Sequence, residues 1–153
     1  MRSPVAIELL ARRALFAILA IGVTGTLAEL LLLKHFDGVW QLVPVTLLGS
    51  ALALLLINAM TDAKPARLAL VAVMALFVAA GVVGLAMHLS GNMEWELERA
   101  PELTGWPLLR DALMGATPAL APGAMIQLGL IGLLHGYLLH RELRRPSHAS
   151  PES

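Results

Sequence analysis

Four apolar runs separated by clusters of charge decide most of what this chain can fold into. Charged residues gather at 2–13, 34–37, 62–67, 94–111 and 141–152, and Glu29 is the single charge inside an intervening run. A helix rising 1.5 Å per residue crosses a hydrocarbon layer of about 30 Å in roughly 20 residues, the length of each run. The expected architecture is therefore all-α: a four-helix transmembrane bundle with spans at residues 14–33, 40–60, 68–89 and 122–140. Residues 1–145 form one transmembrane domain, and the polar tail 146–153 is expected to be disordered. A 58% hydrophobic content and a mean hydropathy of +0.74 exceed what a water-soluble domain carries. The N-terminal run resembles a signal peptide but continues to Leu33 without a small-x-small cleavage site, so it is read as a retained span.

Local signals set the boundaries. Ser3 followed by Pro4 starts a helix, and Glu8 and Arg12 lie four apart on an amphipathic lead at residues 4–13. Unbroken helix from Pro4 to Lys34 would measure about 45 Å, which demands a bend near Arg12 and Arg13 or a protruding end. Asp37-Gly38 makes the first turn, Trp40 sits in the interfacial aromatic belt, and Pro65 suits the first turn of the third helix. In "TPALAPGAM", Pro122 interrupts a helix begun at Pro118, so residues 117–121 are either a kinked first turn or, preferably, an irregular lead. "WPLLRDALMG" puts Leu108, Leu109, Ala112 and Leu113 on one face, as in a short interfacial helix between spans 3 and 4. "MEWELE" is ambiguous: Met93, Trp95 and Leu97 alternate like a strand, while Glu94 and Glu98 would repel one another in a helix.

The 11 Lys and Arg residues give direction. Arg2, Arg12, Arg13, Lys64, Arg67, Arg141, Arg144 and Arg145 flank one side, against Lys34, Arg99 and Arg110 on the other. The asymmetry places both termini in the cytoplasm, N-in and C-in, and makes the bacterial inner membrane the expected location. No basic nucleic-acid patch is present, and the absence of cysteine removes thiolate metal sites, disulfides and thiol catalysis.

Intramembrane polar groups are the candidates for function, because a lone carboxylate in lipid costs several kcal/mol unless paired or neutralised. Gly22, Thr26 and Glu29 share one helical stripe, and Gly81, Gly84 and His88 share another that continues to Asn92. Both stripes point toward the outer leaflet, so Glu29 and His88 are expected at one depth and within hydrogen-bond reach. One reading gathers Glu29, His35, His88, Asn92 and Glu94, with Gln127 as a further candidate, into a polar pocket, with Glu29, His35 and His88 as metal candidates suited to Zn, Fe or Mn. The other has Glu29 and His88 satisfy each other while the glutamates form a solvated rim. Gln127 is read as a cross-link between helices, Gly129, Gly132 and Gly136 as a close-packing stripe, and His135 and Asn58 as a possible pair near the cytoplasmic end. No histidine pair is placed to ligate haem across the bundle, and no Walker loop, nucleophile elbow, HExxH or dinucleotide fingerprint occurs.

"ELLLLKHFDGVWQLVPVTLLG", "HLSGNMEWELE" and "TPALAPGAMIQLGLIGLL" resemble a group of small, uncharacterised bacterial four-span integral membrane proteins. The resemblance implies the span count and carries no catalytic or ligand residue. The sequence thus leads to a non-catalytic accessory or scaffolding subunit, calling for no cofactor, with the lipid bilayer and a homo-oligomer or larger membrane complex as partners. The alternative is a redox or proton-linked protein that binds a metal or small ligand at the outer leaflet.

Overall fold

The computed structural model describes residues 4–61, 63–115, 117–118 and 120–143. Its helices are α1 (Pro4–Leu32), α2 (Val39–Met60), α3 (Lys64–Arg99), α4 (Gly105–Leu113) and α5 (Gly123–Leu143). Four of them, α1, α2, α3 and α5, are long and apolar enough to cross a membrane. The expected tail at 146–153, the Ser3 cap, Arg2, Arg144 and Arg145 lie outside the described residues.

The four long helices form a ring in which α1 packs on α2, α2 on α3, α3 on α5 and α5 on α1. Each turns a narrow face inward: Leu19 and Val23 from α1, Leu48, Ala51 and Leu55 from α2, Leu70, Met74 and Phe77 from α3, Met125 and Leu128 from α5. The three- and four-residue spacings stack these side chains along one stripe per helix. The remaining faces are also apolar, with Ile21, Leu56, Leu76 and Leu130 among many large side chains left outward. That two-sided apolarity suits a bundle solvated by lipid.

Small residues let α3 and α5 approach most closely. A Cβ built on Gly129 would lie 2.7 Å from the Met74 carbonyl oxygen, one on Gly81 would lie 2.6 Å from Ile126 Cγ1, and one on Gly132 would collide with the Met74 side chain. The pairs 81 with 126, 78 with 129 and 71 with 136 run in opposite senses, so the two helices are antiparallel. The glycine stripe expected on the last span is therefore the contact between α3 and α5.

Hydroxyls on the outer face of α2 are satisfied locally. Thr46 donates to the carbonyls of Leu42 and Val43 at 2.9 and 3.0 Å, and Ser50 donates to that of Thr46 at 2.8 Å. Such back-bonding leaves neither of these hydroxyl donors bare toward lipid.

The α1–α2 turn closes by a Schellman motif, with His35 N–H on the Leu30 carbonyl at 2.9 Å and Lys34 N–H on that of Leu31 at 3.1 Å. Lys34 takes the left-handed conformation at φ 52°, a position that favours glycine. Lys34→Gly is accordingly expected to stabilise the protein by ~0.5–1 kcal/mol. A denaturant titration in mixed micelles would show it as a raised midpoint with unchanged slope.

Three sequence readings sharpen here. Residues 94–99 are helical, so "MEWELE" extends α3 into a 36-residue rod of about 54 Å. α1 is one unbroken helix of 29 residues, from Pro4 to Leu32. Of the irregular lead expected at 117–121, the described residues 117, 118, 120 and 121 lie outside any helix, with i→i−3 bonds such as Ala121 to Pro118 at 3.1 Å and Gly123 to Leu120 at 2.9 Å.

Candidate functional site

The end of the bundle where α3 leaves the ring was expected to hold a pocket. Asn92, 3% exposed, is instead the centre of a clasp. Its Nδ2 donates to the carbonyls of Ala112 at 2.9 Å and Thr117 at 2.7 Å, while Oδ1 accepts from Thr117 N–H at 3.2 Å and Thr117 Oγ1 at 2.5 Å. Two donors and two lone pairs are all an asparagine amide offers, so nothing is left over for a ligand. Gly115 makes the clasp possible, since a Cβ there would lie 2.8 Å from Asn92 Cγ. α4 rests on the same part of α3 with Leu108 and Ala112 buried, so the apolar stripe read as membrane-facing is turned largely onto α3.

The other expected pocket residues are not drawn together. α1 and α3 stand across the ring from one another, and no hydrogen bond or ion pair joins Glu29 to His88. His88 Nδ1 is buried without a hydrogen-bond partner. Glu29 is exposed, for a reason of length. Gly22 packs on Leu128 of α5. From there α1 climbs about 10 Å to Glu29, whereas α5 extends only about 8 Å to its start at Gly123. The glutamate stripe does point at α5, but it outruns it.

His35 is half-buried in the α1–α2 turn, with its backbone held in the Schellman motif. Glu94 is exposed on the α3 extension. Gln127 is exposed as well, in line with Leu130, Leu134 and Tyr137 on the outward face of α5, and its side chain cross-links no described residue. Among the described residues no group of three or more His, Cys, Asp or Glu side chains could hold a metal.

The opposite end of the bundle, where α1 and α3 begin and α2 and α5 finish, encloses a cavity of about 1070 Å³. Arg12 and Arg13 of α1 and Lys64 and Arg67 of α3 line it. Its wall is otherwise mostly apolar, with Phe16, Leu70, Val71 and Leu133. His135 also lines it; the ring is 7% exposed, lies 5.7 Å from that of Phe16, and leaves Nδ1 buried without a partner. Asn58 does not pair with His135, because its amide donates to the Leu54 carbonyl at 2.7 Å and the Ala66 carbonyl at 3.2 Å, tying the end of α2 to the start of α3. Arg141 lies over the Tyr137 ring at 5.9 Å, at the same end.

This cavity escaped the sequence reading, which used its cations only to orient the chain. The available signal was that four cations flank apolar runs joined by a very short α2–α3 connection, which forces them to one end. Compared with protein-family models, curated proteins and solved structures, the chain matches none.

Proposed function

We propose that this chain is a non-catalytic accessory or scaffolding subunit of a bacterial inner-membrane assembly, with both termini in the cytoplasm. One observation carries the reading: Gln127 stands on the outward face of α5 and Glu29 is exposed where α1 outruns α5, and neither side chain is bonded within the described residues. An amide or carboxylate turned toward acyl chains is costly, and a neighbouring protein surface that supplies donors and acceptors removes the cost. The assembly is either a homo-oligomer or a larger complex. The Lys and Arg asymmetry supports the threading, and the resemblance to small bacterial four-span proteins accords with the location. Ligand binding at the outer leaflet has less support, since Glu29, His35, His88 and Asn92 do not converge there.

The test is the mass of the particle extracted from native membranes in mild detergent. More than one chain, or a stable partner, is expected, with reversion to a single chain in Gln127→Leu and Glu29→Leu. Both variants should keep or raise the melting temperature, because each removes a polar group from an exposed apolar face. A single-chain particle in the parent protein would refute the proposal.

A further inference from the structure

We infer that the cavity between the start of α1 and the end of α5 is a binding site for an anionic phospholipid, its phosphate held by the cationic rim and an acyl chain lying along the apolar wall. Three observations converge on this occupant. Arg12 and Arg13 of α1 and Lys64 and Arg67 of α3 all line the cavity. Fixed positive charge gathered from two helices at a membrane boundary is the arrangement that holds lipid phosphates. Guanidinium groups add directed, two-pronged hydrogen bonds to phosphate oxygens.

The second observation is size. About 1070 Å³ is at the upper end of small-molecule sites, so a free inorganic anion would leave most of it empty. The third is the division of the surface, with the cations on the first turns of α3 and on α1, and Phe16, Leu70, Val71 and Leu133 deeper between the helices. A molecule that is charged at one end and apolar over the rest matches that division; a soluble phosphate or a neutral lipid matches one half of it. The inference rests on the chain lying in a bilayer and is independent of which way it is threaded or with what it assembles.

The experiment uses delipidated full-length protein in mild detergent, titrated with phosphatidylglycerol, with phosphatidylcholine of the same acyl chains, and with inorganic phosphate. Native mass spectrometry reads the adducts. Phosphatidylglycerol is expected to form a saturable one-to-one adduct at concentrations about tenfold or more below phosphatidylcholine. Arg13→Gln combined with Lys64→Gln, both at exposed positions, should weaken that adduct about tenfold and leave the melting temperature unchanged. Leu133→Trp, which narrows the apolar wall, should weaken both lipids together. Equal affinity for the two lipids in the parent protein overturns the inference without reference to any variant. Inorganic phosphate displacing the lipid at matched concentration also overturns it, assigning the rim to a soluble anion. Loss of the oligomer in the Gln127 and Glu29 variants, or its absence, leaves this comparison unaffected.

Discussion

Gly129→Val is expected to destabilise the bundle by about 3 kcal/mol, the upper end of what overpacking costs, because the neighbour it meets is backbone. A Cβ at Gly129 would lie 2.7 Å from the Met74 carbonyl oxygen and 3.0 Å from the Val78 amide nitrogen, so relief requires α3 and α5 to move apart bodily. Gly132 provides the internal contrast. There the obstruction is the Met74 side chain, an unbranched thioether that can change rotamer. Gly132→Ala should therefore cost less than Gly129→Ala, although its Cβ overlaps more severely in the unrelaxed structure. Unfolding titrations in mixed micelles would measure both, and an equal cost for the two alanines would show that helix separation is not what limits this interface.

The second large effect is expected at Asn92. Asn92→Leu keeps the branched shape and removes all four hydrogen bonds, leaving two carbonyls and the Thr117 N–H and hydroxyl without their partner. A loss of about 3 kcal/mol follows if each group recovers only part of its bonding from water. Amide exchange should quicken from Ala112 to Gly115 and at Thr117, and stay slow in the middle of α5, where the ladder is intact. Gly115→Ala pushes a methyl group against the same amide, so its cost should shrink in an Asn92→Ala background that makes room. Additive effects would mean that Gly115 and Asn92 act separately.

The parts of the fold that depend on local chemistry were legible before any coordinates. Pro65 marks the start of α3, Pro122 the irregular lead into α5, and the apolar periodicity of "WPLLRDAL" the short helix α4. The glycine stripe on α5 was equally plain, since small residues at three- and four-residue spacing have few other uses in a membrane helix. What failed was lateral placement. An expected common depth for Glu29 and His88 says nothing about which helices are neighbours in a ring. Adjacency was set by the close approach of α5 to α3, which left α1 to pack between α5 and α2.

Asn92 illustrates a different limit. A polar residue on a small-residue stripe reads the same whether it serves a ligand or the chain itself, and only the return of Ala112 and Thr117 onto α3 decides between them. The basal cavity shows the converse. Its four cations were all noticed, yet as markers of threading, because a count of charges by side contains no information about whether they share a space.

α3 carries Lys64 and Arg67 at one tip and the Asn92 clasp near the other, on a single unbroken cylinder. About 54 Å of continuous helix behaves as a stiff lever whose fulcrum lies among Met74, Phe77 and Gly81, where α3 is gripped by its neighbours. Tilting such a rod by about 10° swings its two tips roughly 5 Å in opposite directions. A tilt of that kind would move the cavity rim at Lys64 and Arg67 and the seat of α4 at Asn92 in opposite directions.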